Sequence, residues 1–281
     1  MMTSMASPTL PVLTSLANPR IKAAVALRDR RERDRTGLTL VDGARELRRA
    51  LDAGVDLVEV FVCEPLLSGP DAHAALGTLR AGAAPAQPVS EQVFARLAFG
   101  ERAEGLLAIV RIPSTALEAV ELPAEPLVVV IEGVEKPGNV GAVVRSADGA
   151  AVDAVVAASP RTDLFNPNAI RASAGTVFTV PVAAADTPDV LAWLRANGLR
   201  IVAARVDAER LYTDVDLTGA VGLVLGAEAD GLSGAWTGDD VVSIRLPMLG
   251  VADSLNVSVS AAVLAYEARR QRGIPRDPAA R

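Results

Sequence analysis

The amino-acid sequence predicts an α/β protein of two domains, with an open parallel β-sheet in its C-terminal half. Its 281 residues, 50% of them hydrophobic, are enough to build the core of one large or two ordinary domains. Short apolar runs alternate with helical segments throughout the second half, as is typical of a parallel sheet. Pro113, Pro123 and Pro126 punctuate the stretch between the two halves, and we place the domain boundary there.

The first domain is predicted over residues 1–113, a linker with one helical turn over 114–125, and the second domain over 126–281. Apolar periodicity in the first domain predicts a small α/β unit. Its predicted strands are residues 38–41, 56–62 and 106–112, and its predicted helices are residues 20–35, 44–53, 71–79 and 90–97. Ser90 is placed to cap the last of these helices, and Gly54 to end the second.

The first predicted helix carries a positive charge that the whole chain does not. Residues 20–35 contain seven basic and three acidic side chains, a local net charge of +4, whereas the formal net charge of the chain is −6. Such a segment can contact RNA phosphates, or it can be a solvated helix face of mixed charge. Both interpretations stay open, but any RNA-binding surface must be a local patch.

Continuous apolar runs define the strands of the second domain. They lie at residues 127–131, 154–157, 199–203, 221–225 and 242–246. Such runs are typical of strands buried on both faces of a parallel sheet. Helices are predicted between them, most clearly at 188–197, with Thr187 as N-cap and Gly198 after the end, and a terminal helix is predicted at 255–272. In such a sheet the ligand site lies at the carboxyl ends of the strands.

Composition excludes several classes of chemistry. One cysteine, Cys63, and one histidine, His73, exclude an internal disulfide, a cysteine-based zinc site and most catalytic triads, and we predict no metal cofactor. Residues 1–11 lack the features of a secretory signal, and no stretch approaches the ~20 apolar residues of a membrane span, so we expect a cytoplasmic protein. Aromatic residues are only 3%, which argues against a nucleic-acid-binding surface built on rows of stacked rings.

Neither of the common nucleotide-binding glycine motifs follows a predicted strand, but three other polar segments do. The first, residues 132–147, follows the strand at 127–131. Its glycines permit close backbone approach, Asn139 can cap the following helix, and Arg145 lies nearly two turns into that helix among apolar neighbours. A guanidinium there requires a partner, which is either a carboxylate at the helix surface or a ligand.

The other two segments follow the last two predicted strands. Residues 226–232 form a glycine-bounded loop that carries Glu228, a common arrangement at ligand sites. Residues 247–260 lead into the terminal helix, and polar side chains crowd a helix start that is otherwise apolar. These are Ser254, Asn256, Ser258 and Ser260. One cap cannot use all four, so they form either a site or a serine-rich cap whose small residues allow tight packing.

Each of the three segments follows a predicted strand. Taken together and in this order, they resemble the signature motifs of the TrmH-like branch of the SPOUT methyltransferases. The resemblance covers residues 126–272. The first domain looks like the ribosomal-protein-type RNA-binding domain that often precedes these motifs. Within the class, the chain is most similar to the ribosomal RNA methyltransferases that confer resistance to antibiotics such as avilamycin or thiostrepton.

The resemblance implies a fold, a cofactor and a set of site residues. It implies a deep trefoil knot in the second domain, which binds S-adenosylmethionine in a bent shape, mainly through backbone groups. The matching cofactor positions are Gly226, Leu246 and Leu255, with Leu225, Ile244 and Met248 as neighbours. The matching catalytic positions are Arg145, Asn139, Glu228, Ser254 and Asn256.

The resemblance also implies methyl transfer to a ribose 2′-hydroxyl, most readily of 23S ribosomal RNA, by a homodimer that pairs through the terminal helix. RNA contacts are expected at Arg171, Arg20 and Arg30, and also at Arg161, although Arg171 is alternatively an ordinary helix-surface cation. Two other functions stay open: a transfer RNA 2′-O-methyltransferase, and an RNA-binding protein on the same fold without transfer activity. A small-molecule α/β enzyme would need its own acid or base, and the second half has no His or Cys.

Overall fold

The computed structural model describes residues 10–81, 86–99, 104–227 and 230–273. The chain divides into two compact units between Ile112 and Pro113. Within the described ranges, none of the helices combines the length and the apolar character needed to cross a bilayer.

The first unit is built on a four-stranded mixed sheet with the order β1-β4-β2-β3. Its strands are β1 (Leu38–Asp42), β2 (Leu57–Val62), β3 (Ala86–Pro88) and β4 (Leu106–Arg111). Its described helices are α1 (Pro19–Ala26), α2 (Arg30–Thr36), α3 (Ala44–Asp52), α4 (Gly69–Ala81) and α5 (Glu91–Leu97). β4 is antiparallel to β1 and β2, whereas β3 is parallel to β2. The three longer strands confirm the prediction, and the three-residue β3 is too short to give a sequence signal.

The prediction of one helix over residues 20–35 is wrong, because α1 and α2 share this segment. Asp29 begins α2 as its N-cap, and its side chain accepts a hydrogen bond from the Arg31 N–H at 2.8 Å. The buried Arg33 donates to the carbonyl oxygen of Leu27 at 2.9 Å, in the turn between the helices. The cap and this tertiary hydrogen bond stabilise a break that charge periodicity does not reveal.

The second unit contains a six-stranded sheet in which every neighbouring pair of strands is parallel. The strands are β5 (Leu127–Glu132), β6 (Ala154–Ala158), β7 (Val182–Ala185), β8 (Arg200–Ala204), β9 (Val221–Leu225) and β10 (Val241–Ile244), in the spatial order β10-β8-β9-β5-β6-β7. Every residue of β5, β6 and β9 is buried, which confirms the prediction of strands covered on both faces. The edge strand β7 is absent from the predicted set, because its short Val-Ala-Ala-Ala run is not distinctive.

The second unit has four described α-helices: α6 (Pro137–Gly149), α7 (Pro167–Ala172), α8 (Thr187–Ala196) and α9 (Val257–Arg272). α6 contacts both α7 and α9, and α9 also contacts β5 and β9. Apolar side chains of α8, among them Val190 and Leu194, pack in a core cluster with Val128 and Val130 of β5. These helices pack against the strands or against one another, whereas the loops at the carboxyl ends of the strands remain available to form a site.

Two predicted helix caps differ from the structure. α8 begins at Thr187 rather than after it, and the Thr187 hydroxyl donates to Glu132 instead of capping the helix. α6 begins at Pro137, so Asn139 lies in the first turn instead of preceding it. Both side chains bond to residues of other elements, and these tertiary contacts compete with local capping.

Residues 114–125, predicted as a linker, pack within the second unit. Leu117 is buried in the core cluster, and Val120 packs against it. The Ala184 N–H of β7 donates to the Thr115 carbonyl at 2.8 Å. Apolar side chains between the prolines thus attach this segment to the sheet edge.

Candidate active site

A cavity of about 470 Å³ lies at the carboxyl ends of β8, β9 and β10. Its described lining comes from the segments that follow these three strands and from the start of α9. These are residues 204–207, 225–227, 230–232, 246, 248, 253–255, 257 and 260. This is the edge at which open α/β sheets hold ligands, and the volume is in the range of small-molecule pockets, about 300–1,000 Å³.

Most of the predicted cofactor positions line this cavity: Leu225, Gly226, Leu246, Met248 and Leu255. Ser254, predicted as a catalytic residue, lines it as well. Ile244 is not among the described lining residues, because it is fully buried at the end of β10, where its carbonyl accepts a hydrogen bond from the Arg205 N–H at 2.8 Å. Ile244 therefore lies in the core next to the cavity, and its role at the cofactor site stays a prediction.

The loop after β9 turns back tightly on Gly226. We call it the β9 loop, and its described residues are 226, 227 and 230–233. The Gly231 N–H donates to the Ala227 carbonyl at 2.9 Å, which closes the turn. A Cβ atom at position 226 would lie 2.1 Å from the Gly231 carbonyl carbon and 2.4 Å from the Leu232 nitrogen. Only glycine permits such an approach, so this wall of the cavity depends on Gly226.

The cavity lining has an excess of negative charge. Among its described residues Arg205 is the one cation, against the carboxylates of Asp207, Asp230 and Asp253. The Arg205 Nε donates to Asp207 Oδ1 at 3.2 Å. Asp207 pairs with Arg205 and Asp230 with Arg161, so Asp253 is the described lining carboxylate best able to attract a positively charged ligand. The described part of the chain contains no group of three or more His, Cys, Asp or Glu residues able to hold a metal ion.

Two asparagines join the first and third signature segments. Asn256 is the N-cap of α9, and its Oδ1 accepts hydrogen bonds from the N–H and the hydroxyl of Ser258, at 2.9 and 2.6 Å. The Asn256 Nδ2 donates to Asn139 Oδ1 in the first turn of α6, at 3.2 Å. The polar residues at this helix start thus do more than cap it, and two predicted catalytic residues are brought together.

Arg145 lies on α6 with an exposed side chain and is not among the described residues that line the cavity. No described residue forms a hydrogen bond or an ion pair with it. Of the two predicted kinds of partner, a carboxylate at the helix surface is therefore absent from the described structure, and solvent can satisfy an exposed guanidinium. Close packing positions its helix: a Cβ at Gly141, one turn earlier, would lie 2.3 Å from the Ala169 carbonyl oxygen of α7.

The residues predicted to contact RNA have different environments. Arg171 is half-buried on α7, and Arg30 is exposed on α2. Arg20 donates from Nε to Glu59 Oε1 at 2.7 Å and from Nη1 to Gln87 Oε1 at 2.8 Å. Its donors therefore serve the fold of the first unit, which basic composition alone does not indicate.

Arg161, another expected RNA contact, forms ion pairs with Glu135 and with Asp230, the latter at 3.3 Å. It joins the loops that follow β5, β6 and β9, and its charge is offset there. Glu228, predicted as catalytic, lies outside the described residues.

Glu132, the last residue of β5, is a further site residue that the sequence analysis does not single out. Its carboxylate is buried, with 6% of the residue exposed. It accepts hydrogen bonds from the Thr187 hydroxyl at 2.8 Å and from the N–H and hydroxyl of Ser233 at 2.7 and 2.8 Å. Burial opposes ionisation, but these hydrogen bonds outweigh it and hold the pKa of Glu132 below its ordinary value. A lone acidic residue at the end of an apolar strand is the sequence signal that could have revealed it.

Two family models match the chain, one in each unit. A family model described as the SpoU rRNA Methylase family matches residues 126–266. A second model, described as an MRM3-like substrate binding domain, matches residues 18–108.

Individual relatives match nearly the whole chain. A crystal structure of an RNA 2′-O ribose methyltransferase is 42% identical, with a TM-score of 0.82, and the match covers 94% of this chain and 100% of that chain. The AdoMet-bound rRNA methyltransferase from Sinorhizobium meliloti is 27% identical, with a TM-score of 0.83 and coverage of 93% and 98%. The 23S rRNA (guanosine(2553)-2′-O)-methyltransferase RlmP of Bacillus subtilis is 26% identical over 92% of this chain and 98% of that protein. The chain therefore belongs to the SpoU rRNA methylase family.

Proposed function

We propose that this protein transfers a methyl group from S-adenosylmethionine to the 2′-hydroxyl of a ribose in 23S ribosomal RNA. The observation that carries the proposal is the cavity lined by the second and third signature segments, in a chain of this family. The similar proteins are RNA 2′-O-ribose and ribosomal RNA methyltransferases, and one of them is AdoMet-bound. The substrate binding domain matched at residues 18–108 supports an RNA substrate.

The residues of the cavity fit this cofactor. Apolar walls formed by Leu225, Leu246 and Met248 suit an adenine ring and a methionyl chain, and the backbone around Gly226 offers hydrogen-bonding groups. The carboxylate of Asp253 suits the ammonium and sulfonium charges. When bound, S-adenosylmethionine supplies an electrophilic methyl group. We assign binding of the cofactor to this lining.

We assign the orientation of the substrate to Arg145. A ribose hydroxyl is a poor nucleophile until its proton is removed or shared. A guanidinium presents five N–H donors and no acceptor, so we assign Arg145 a hydrogen-bonding role rather than that of the base. It can hold the hydroxyl and the adjacent phosphate in line for transfer, and the phosphate oxygen can accept the proton. We assign Asn139, Asn256 and Ser254 to the polar edge of this site. The catalytic role of Glu228 stays a prediction from the resemblance.

We propose that a second copy of the chain completes the active site. Arg145 is exposed and is not among the described residues that line the cavity of its own chain. Large apolar side chains are also exposed on α9 and on the loop before it: Val259 is 46% and Tyr266 53% exposed, and Leu249 is 96% exposed. A homodimer through α9 would cover them and bring Arg145 of one protomer to the cavity of its partner. Light scattering after size exclusion should give twice the chain mass, and a monomer with full activity would disprove the shared site.

We also propose the deep trefoil knot of the SPOUT class for the second unit. β10 lies at an edge of the sheet, whereas α9 contacts the central strands β5 and β9. Residues 245–256 must therefore cross the ends of β8 and β9 to join them. Stretching the chain between residues 126 and 273 in an optical trap should give a contour length shorter than that of an unknotted chain, and the full length would refute the knot.

Transfer of label from methyl-labelled S-adenosylmethionine tests the proposed function. The purified protein is incubated with 23S, 16S and transfer RNA separately. We expect label in 23S RNA only, at a linkage that then resists alkaline cleavage because the attacking 2′-hydroxyl is blocked. Label in transfer RNA instead of 23S RNA would show that the protein is a transfer RNA methyltransferase. Absence of label from all three would leave an RNA-binding protein without transfer activity.

A further inference from the structure

Outside the residues that line the cavity, the buried carboxylate of Glu132 is a shared partner of several strand ends. Thr187, which donates to it, begins α8 directly after β7. Ser159, the residue after β6, accepts a hydrogen bond from the Thr187 N–H at 3.0 Å, and its hydroxyl lies 3.0 Å from the Thr187 hydroxyl. Ser233 closes the β9 loop. One side chain on β5 therefore connects, directly or through Thr187, the carboxyl ends of β6, β7 and β9.

The connection to Ser233 reaches the cavity. Gly231 and Leu232 line the cavity, and Ser233 is the next residue of the chain. The start of the β9 loop is continuous with β9, and its end is held by two hydrogen bonds from Ser233 to Glu132, at 2.7 and 2.8 Å. Gly231, whose carbonyl group lies close to Gly226, is two residues before Ser233 in the chain. Loss of the two bonds to Glu132 would release this end of the described loop, next to the residues that line the cavity.

A carboxylate suits this task better than a neutral side chain. Ser233 offers two donors, and Glu132 accepts both while it also accepts from Thr187. A glutamine has one acceptor oxygen and one donor group, so it would place an N–H against a donor of Ser233 or Thr187. Hydrogen bonds to a charged acceptor are also stronger than neutral ones.

We propose that Glu132 is a positioning residue for the cofactor: through Ser233 it holds the β9 loop in the shape that binds S-adenosylmethionine. This inference rests on the proposed function, because it assigns that cofactor to the cavity. It adds a residue that does not touch the ligand and that acts through another part of the chain.

Cofactor affinity in a matched set of variants tests the inference. Isothermal titration with S-adenosylmethionine is carried out well below the unfolding temperature of every variant. Ser233→Ala should weaken binding about tenfold, because it removes one hydrogen bond to the charged carboxylate. Ser233→Thr keeps the hydroxyl and should restore the affinity. Glu132→Gln should weaken binding at least as much, and the double variant should be no weaker than Glu132→Gln, because both changes disrupt one interaction.

Thr187→Val is the matched comparison. It removes a bond of 2.8 Å to the same carboxylate, but from α8, which contributes none of the described lining residues. It should lower the thermal unfolding temperature without the loss of affinity seen for Ser233→Ala. If the role of Glu132 is purely structural, Thr187→Val and Ser233→Ala should change the affinity for S-adenosylmethionine equally, or neither should change it.

Three results would overturn the inference: unchanged affinity in Ser233→Ala, no restoration by Ser233→Thr, or an equal loss in Thr187→Val. If Glu132→Gln does not fold, the Ser233 and Thr187 variants still decide the question. Failure of the proposed function gives a different pattern, in which the unmodified protein itself does not bind S-adenosylmethionine. In that case the inference falls with the proposed function.

Discussion

Arg145→Ala is expected to slow methyl transfer by at least about 100-fold while the Kd of S-adenosylmethionine stays unchanged. The guanidinium is exposed on α6 and is not among the described cavity-lining residues, so its loss should not affect the cofactor. It should remove the group that orients the ribose hydroxyl and the phosphate. Single-turnover transfer to 23S RNA measures the first quantity, and isothermal titration with the cofactor measures the second.

Two further variants sharpen this experiment. Arg145→Lys keeps the charge but loses the planar fork, so it should recover only part of the rate. Arg195→Ala removes an arginine from the exposed surface of α8, where it pairs with Asp240 at 2.7 Å, and should leave transfer unchanged. Normal turnover in Arg145→Ala would refute the role assigned to this residue. A matching loss in Arg195→Ala would show that the assay responds to general loss of basic charge.

Gly226→Ala is expected to raise the Kd of S-adenosylmethionine by about 10- to 100-fold. The added Cβ would lie 2.1 Å from the carbonyl carbon and 2.2 Å from the carbonyl oxygen of Gly231. Backbone atoms cannot yield as a flexible side chain can, and repacking of such overlaps typically costs about 1–3 kcal/mol or more. The β9 loop must open, and with it one wall of the cavity. Isothermal titration with S-adenosylmethionine measures the loss, and circular dichroism checks that the protein is folded.

Gly234→Ala is the matched control for this change. It adds the same methyl group eight residues later, where a Cβ has no atom within 4 Å, and should leave the Kd unchanged. Retention of affinity by Gly226→Ala would disprove the assignment of the cofactor to this cavity.

The same two variants test whether the active site is shared between protomers. Arg145→Ala keeps the cavity, and Gly226→Ala keeps the arginine. If each site takes its arginine from one protomer and its cofactor from the other, mixed dimers of the two inactive variants should regain transfer at one site. Mixtures that stay inactive after subunit exchange would place both groups in one chain.

Local patterns were sufficient for most of the fold. Continuous apolar runs identified five of the six strands of the second unit. The terminal helix ends at residue 272 as predicted, followed by Gly273 in the left-handed conformation at φ +61°. Patterns failed where a contact from elsewhere decides the outcome. The helix break at Asp29 is stabilised by Arg33, and the edge strand β7 is stabilised by its pairing with β6. Neither interaction leaves a periodic signal in the chain.

By itself, the sequence determined the α/β class, the parallel arrangement, the absence of thiol and histidine chemistry from the second unit, and three motif segments whose resemblance predicted cofactor positions. Only the tertiary structure decided which polar residues meet. Asn256 bonds to Asn139 across 117 residues, and Ser233 bonds to Glu132 across 101 residues. The physical reason is that side-chain periodicity and capping are local properties, whereas these contacts depend on which strands are neighbours in the sheet and where their ends lie.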